Sequence, residues 1–275
     1  MNPISLPAVA ANEYLTFATQ LAAAAAAVTL PLFRQPLPVE VKSDLSPFTT
    51  ADCNSEKAMC ALINAHYPQH GIIGEEFGSN KADAEFVWVL DPIDGTRSFI
   101  SGSRQYSSLI GLLYRGVPVI GVMDFPALAE CWTGIYTAEQ RTAQFNNTPC
   151  CTSKNAPTLA QAIAATTTVA VERRNEDTQL QNFLPACGQV RLGGDAYAYA
   201  GVASGFSHLA LDYLMQPYDY LPLLPIVYAA GGVMTDWQGA PLAPFTADGW
   251  KTAVASANDS LHQQAIAALA SACPS

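Results

Sequence analysis

The sequence predicts an α+β first half packed on an α/β second half, and three observations carry that expectation. Phe86-Val87-Trp88-Val89-Leu90 is an unbroken run of apolar β-formers that stops at Asp91-Pro92, the pattern of a buried strand. Residues 106–114 and 117–123 are two more apolar runs, separated by Arg115-Gly116, and read as an antiparallel hairpin. Beyond residue 158, short apolar segments at 164–171, 208–212, 233–236 and 253–255 alternate with helical stretches.

The remaining elements follow in order. Residues 12–30 form an Ala-rich helix that Pro31, Pro36 and Pro38 break. Residues 39–42 are extended. A second helix, capped by Thr50 or Asp52, runs to Tyr67 and is stopped by Pro68. Ile72-Ile73 leads into Glu75-Glu76, and residues 131–136 add a third strand to the hairpin. The polar, turn-rich stretch 146–158 marks a boundary between a subdomain of residues 1–145 and one of residues 146–275. Helices are expected after Gly193-Gly194-Asp195, from Asp219, and over 259–270.

Half of the 275 residues are apolar and only 13% are charged, which excludes a disordered chain. The net charge of −10 gives no general attraction for nucleic acid or anionic lipid, so neither is an expected partner. Seven cysteines without a CxxC pair read as reduced thiols in a cytoplasmic protein. The apolar run 21–30 lacks a preceding Lys or Arg and is too short to span a bilayer, so no transmembrane or targeting segment is expected.

Chemistry concentrates in Asp91-Pro92-Ile93-Asp94-Gly95-Thr96. Two carboxylates three residues apart across a Pro-constrained turn repel one another unless a cation lies between them, and hard oxygen donors suit Mg²⁺. Gly95-Thr96 then opens a helix, whose free N–H groups suit a phosphate. Glu75-Glu76, Asp219 and Asp52 are further acidic candidates, each also readable as a solvated loop or a helix cap. Competing chemistries lack their residues: there is no GxxxxGK[ST] loop and no GxSxG elbow. His66 and His70 are separated by Pro68, which argues against a helical zinc face. Asp91 and Asp94 are three apart, where aspartyl-phosphate phosphatases carry aspartates two apart.

The string Trp88-Val-Leu-Asp-Pro-Ile-Asp-Gly-Thr96, Gly74-Glu75-Glu76 and the Asp219 helix start resemble, in order and spacing, the three signatures of the inositol-monophosphatase superfamily. The resemblance covers roughly residues 10 to 270. It implies an inositol-monophosphatase-like layered α-β-α-β-α sandwich, a homodimer, and two or three Mg²⁺ ions held by Glu75, Asp91, the Ile93 carbonyl, Asp94 and Asp219. It also implies catalytic roles for Glu75, Thr96 and Asp52 and phosphate contacts from Gly95 and Thr96.

Lys42-Ser-Asp-Leu-Ser-Pro-Phe-Thr-Thr-Ala-Asp52, Ser98-Phe-Ile-Ser-Gly102 and Arg191-Leu-Gly-Gly-Asp-Ala-Tyr-Ala-Tyr199 are similar to the histidinol-phosphate phosphatase branch. The departures are Ala196 for a frequent cysteine, Phe125 for glutamine, Arg97 for lysine, and the extra Pro222. The branch implies hydrolysis of L-histidinol phosphate in histidine biosynthesis; its cationic amine and imidazole would favour an acidic partner, for which Asp195, also readable as a helix N-cap, is the candidate, with Arg191, Tyr197 and Asp219 as further candidates for substrate contact. Inositol phosphate, related sugar or nucleotide phosphates, and a non-catalytic metal-dependent binding role stay open as alternatives.

Overall fold

The Ala-rich segment forms α1 (Ala8–Leu32) in the computed structural model, which describes residues 1–41, 47–155, 157–167, 175–242 and 250–273. Its buried face is mostly small (Ala11, Ala18, Ala22, Ala25), so the helix approaches its neighbours closely, with Phe17 and Leu21 filling the rest. Two expectations are corrected here. Pro31 lies inside the last turn: a proline there removes one N–H donor, and the N–H of Phe33 still reaches the Thr29 and Leu30 carbonyls. The helix, at 25 residues, also has the length and apolarity that a bilayer span needs. One face of it, however, is buried against protein.

A two-stranded ribbon of β1 (Glu40–Val41) and β2 (Pro47–Phe48) precedes α2 (Thr50–His66). Lys42 and the four residues after it lie outside the described residues. The cap of α2 is Thr49, one residue before the expected position. Its Oγ1 accepts from the Ala51 N–H at 3.1 Å, while Asp52 Oδ2 accepts from the Thr49 N–H at 2.7 Å.

The first sheet contains β3 (Gly71–Gly74), β4 (Gly78–Asn80), β5 (Phe86–Asp94), β6 (Ser107–Tyr114), β7 (Val117–Phe125), β8 (Glu130–Tyr136), β9 (Arg141–Phe145) and β10 (Thr148–Pro149), with the short helix α3 (Thr96–Ile100) between β5 and β6. Its order is β10-β9-β8-β7-β6-β5-β3-β4, antiparallel except for the β3/β5 pair. The sheet therefore runs on a few residues past 145. β5 also outlasts its apolar run. Asp91 pairs with Leu109 and Asp94 with Ser107, so three steps on β5 match two on β6. Pro92, which has no N–H to give the ladder, sits in this bulge.

The second sheet is built from β11 (Ile163–Thr166), β12 (Gln189–Leu192), β13 (Leu209–Met215), β14 (Val233–Thr235) and β15 (Lys251–Ser256), in the order β12-β11-β13-β15-β14. The expected strand over 164–171 is seen to Thr166, and residues 168–171 lie outside the described residues. The helices here are α4 (Asn175–Phe183), α5 (Ala196–Ala203), α6 (Pro217–Tyr220), α7 (Leu223–Ala229) and α8 (Asp259–Ser271). Asp219 is not the cap of its helix. It is the third residue of α6, behind the cap Gln216.

These elements stack as α1 and α2, the first sheet, α5 to α7, the second sheet, then α4 and α8, a layered α-β-α-β-α arrangement. Three glycines in register across β6, β7 and β8 (Gly111, Gly121, Gly134) bring the middle layer close. A Cβ at Gly121 would stand 2.0 Å from the Pro222 carbonyl oxygen, and one at Gly134 would stand 2.5 Å from Ile226 Cα. Pro222, between α6 and α7, is thus pressed onto the sheet, and this contact sets α6, with Asp219, over the end of β5.

Candidate active site

The bulge at the end of β5 turns Asp91 and Asp94 toward the layer between the sheets. Asp91 is buried, and its Oδ1 accepts from the Ile93 N–H at 3.0 Å. Burial first, then the charges of Glu75, Asp94 and Asp219, hold its carboxyl well above the usual range. Asp94 Oδ2 accepts from Ser107 Oγ at 3.1 Å and from the Ala196 N–H of α5 at 2.9 Å, so this one carboxylate joins both halves of the chain. Burial, with Asp195 adding to it, pushes Asp94 up to about 8. Asp219 accepts from the Gln216 N–H at 2.7 Å and shares a hydrogen bond with Asp91. Burial and the charges of Asp94 and Glu75 raise it well above the usual range.

Glu75 is the first residue after β3, its N–H donating to the Leu90 carbonyl at 3.2 Å beside Asp91. Its side chain is hydrogen-bonded to Asp91. A hydrogen bond between two carboxyl groups needs a proton between them, which relieves repulsion as a cation would. Thr96, at the start of α3, has its hydroxyl 3.2 Å from the Ile93 carbonyl and 3.4 Å from Asp52 Oδ1. Asp52 is fully buried, and burial pushes it up to about 6 against the pull of its bonds from Thr49.

Gly95 holds a left-handed conformation, φ 76° and ψ 48°, which glycine adopts without steric cost. A Cβ there would stand 2.5 Å from Asp195 Oδ2. Asp195 occupies the cap position of α5 but makes no capping bond. It accepts from Ser98 Oγ at 2.9 Å instead, at a positive φ of 45°. Burial raises its carboxyl, while Ser98 and Arg97 draw it back.

Glu75, Asp91, Ile93, Asp94, Gly95, Thr96, Asp52, Asp195 and Asp219 therefore come together. Arg191 does not join them. It lies on the exposed strand β12, its guanidinium 5.7 Å from the Tyr197 ring centre, beside a cavity of about 370 Å³ shared with Glu130 and Trp132. Tyr197 faces the same cavity and donates to Glu130 Oε2 at 2.8 Å.

The sequence reading missed Asp212, Ser107 and Glu56. Asp212 accepts from the Thr167 N–H at 2.8 Å, is pushed up to about 7 chiefly by burial, and acts on Asp94 through its charge. Its signal was a single acid inside the apolar run Leu209-Ala210-Leu211-Asp212-Tyr213.

Buried, mutually repelling carboxylates with a backbone carbonyl at their edge are hard oxygen donors, and the set contains neither His nor Cys. That chemistry fits Mg²⁺ better than a softer metal. Among the described residues no three such side chains are drawn around a common point as in a finished metal cage. Asp91 is hydrogen-bonded to both Glu75 and Asp219.

Comparison with known proteins identifies the family and the fold. The inositol monophosphatase family matches residues 10–274. The chain is 36% identical over 274 residues to the bifunctional phosphatase IMPL2, chloroplastic, of Arabidopsis thaliana, covering 98% of this chain and 78% of that protein. It is 37% identical to a histidinol-phosphatase of Chlorobaculum parvum over 82% of this chain and 86% of that one. Among solved structures, an inositol monophosphatase from Zymomonas mobilis is similar with a TM-score of 0.83 and 34% identity, covering 94% of this chain and 98% of that chain. The fold and the matched span define a phosphoric monoester hydrolase. The chain belongs to the inositol monophosphatase family, metal-dependent enzymes that act on small phosphate monoesters.

Proposed function

We propose that this chain is a Mg²⁺-dependent phosphatase whose substrate is L-histidinol phosphate, placing it in histidine biosynthesis. The observation that carries the substrate choice is the crowding of acidic side chains around Asp94. Asp195 makes no capping bond and lies over Gly95, and Asp212 acts on the same carboxylate. A neutral polyol phosphate has no use for this acidity, whereas the ammonium and imidazole groups of histidinol phosphate are complementary to it. The similarity to the Chlorobaculum histidinol-phosphatase supports the same reading.

In this reading Glu75, Asp91, the Ile93 carbonyl, Asp94 and Asp219 would hold two or three ions. Bound Mg²⁺ supplies charge neutralisation for the phosphate and a lowered pKa for the attacking water. The chain's own groups do the rest. The Gly95 and Thr96 N–H groups orient phosphate oxygens. Thr96 donates to Asp52, which leaves its hydroxyl oxygen free to accept a hydrogen bond from the attacking water. Glu75 accepts the water's proton. Asp219 would hold an ion that supplies charge neutralisation at the leaving oxygen, for in-line displacement. The buried face of α1 and the unpaired thiols of all seven cysteines fit a soluble, cytoplasmic protein, and the family resemblance supports a homodimer.

Thr96→Ala should lower turnover by about a hundredfold, the scale of losing one preorganised hydrogen-bonding group at the reacting centre, while calorimetry shows Mg²⁺ still binding. An unchanged rate would remove Thr96 from the mechanism.

The substrate is tested by phosphate release with and without Mg²⁺ from histidinol phosphate, inositol 1-phosphate and 3′-phosphoadenosine 5′-phosphate. Histidinol phosphate is expected to give the highest kcat/KM, and Asp195→Asn to erode that preference. Equal or better turnover of inositol phosphate would overturn the histidinol assignment. No release from any of them would favour a non-catalytic binding role.

A further inference from the structure

Glu75 stands on a very short loop. β3 and β4 pair up to Gly74 and Gly78, leaving Glu75-Glu76-Phe77 as a three-residue hairpin turn closed by Gly78 at φ 72°. In such a turn the central N–H groups point away from the ladder and need other partners. Here they find one side chain from α2. Glu56 Oε2 accepts from the Glu76 N–H at 2.9 Å, and Glu56 Oε1 accepts from the Phe77 N–H at 3.0 Å. Glu56 is fully buried, and it reaches the turn beneath Gly74, where a Cβ would stand 2.1 Å from Oε1 and 2.9 Å from Oε2. Glycine at 74 and glutamate at 56 therefore form one fitted contact. With the Glu75 N–H on the Leu90 carbonyl at 3.2 Å, three successive N–H groups of the turn are fixed from outside it.

We infer that Glu56 is a positioning residue for the metal site: its two oxygens lock the turn so that the Glu75 carboxylate is presented to Asp91. The inference rests on the proposal that Glu75 is a metal ligand. A carboxylate is suited to this task because it accepts at both ends and donates at neither. Glutamine has the same shape but turns an NH₂ group toward one of the two N–H donors, so one bond is replaced by a donor–donor clash. Aspartate is one methylene too short to reach both N–H groups from α2. Partners behind metal ligands typically contribute about 10- to 100-fold to metal affinity or activity.

The test is Mn²⁺ titration of wild type, Glu56→Gln, Glu56→Asp and Glu75→Gln, followed by electron paramagnetic resonance of the free ion, with thermal melts to establish that each variant is folded. Glu56→Gln is expected to weaken Mn²⁺ binding about tenfold. The Mg²⁺ concentration for half-maximal turnover should rise in parallel, with most of kcat recovered at saturating Mg²⁺ and KM for substrate unchanged. Wild-type Mn²⁺ affinity in folded Glu56→Gln and Glu56→Asp, alongside weakened affinity in Glu75→Gln, would overturn the positioning role and leave the metal site standing. Wild-type affinity in Glu75→Gln as well would sink the ligand assignment beneath it, and the positioning role with it. A loss of kcat in Glu56→Gln that saturating Mg²⁺ does not restore, with Mn²⁺ binding unchanged, would also count against it.

Discussion

Asp94→Asn is expected to lower turnover by roughly a thousandfold or more, at or beyond what loss of one preorganised electrostatic group costs, without loss of the fold. Asp94 is the point where the two halves of the site meet. Oδ2 is already taken by Ser107 Oγ and the Ala196 N–H, which leaves Oδ1 for a ligand. Asparagine oriented with its oxygen toward these two donors keeps both bonds, so the layers stay joined. The NH₂ then replaces Oδ1, and a donor cannot bind a cation. The carboxyl is already raised to about 8, so a neutral side chain suits the metal-free fold better than a charged one. The variant should therefore melt no lower than wild type at pH 8 in the presence of a chelator. Substantial phosphate release by the folded variant would contradict the role given to Asp94, and a collapsed melting temperature would contradict the packing account.

The second large effect is a pH dependence opposite in sign to ordinary alkaline stability, confined to protein stripped of metal. A carboxyl raised on folding binds its proton more tightly in the native state, so the folded form holds more protons than the unfolded one. Its stabilising contribution is complete below the unfolded value near 4 and is lost as pH rises through the folded value. Asp94 is raised to about 8, and Asp212 and Glu56 to about 7. His70, His208 and His262 are held below their ordinary value of 6.5 by burial, which favours stability as pH rises, and that trend is mostly spent by pH 6.5. Between pH 6.5 and 8 the carboxyl groups dominate. At about 1.4 kcal/mol per unit, those three together lose about 3 kcal/mol over the window, partly offset by the histidine tail. The melting temperature of chelator-treated protein should fall by about 5 °C. Saturating Mg²⁺ should raise the melting temperature and flatten the slope, because cations then take the place of the protons. A chelator-treated protein whose melting temperature is level or rising across this window would contradict the burial of these groups.

How much of this was legible in the sequence depends on how local each signal was. Asp91-Pro92-Ile93-Asp94 was readable because a buried strand ending in Asp-Pro announces itself without tertiary information, although the bulge that aims the carboxylates was not. The α2 cap was placed one residue late because Thr49, Thr50 and Asp52 all carry capping chemistry, and the choice is made by backbone geometry. Pro31 misled because its missing N–H costs the helix one bond, to the carbonyl four residues earlier, and the turn still closes through the Phe33 N–H. β12 and α4 were not read, since an exposed edge strand and a short polar helix leave no clear periodicity. Asp212 carried a signal, an acid in an apolar strand, that was visible and passed over. Glu56 carried none. A glutamate on a helix looks solvated until the fold brings Gly74 over it.

Anomalous diffraction from crystals grown with Mn²⁺ and phosphate tests the central claim most directly. The expected result is at least two metal peaks bridging the phosphate and the side chains of Glu75, Asp91, Asp94 and Asp219, at about 2.0–2.2 Å from their oxygens, close to the spacing Mg²⁺ takes. A phosphate bound with no metal between it and these four carboxylates, or metal peaks confined to other parts of the chain, would contradict it.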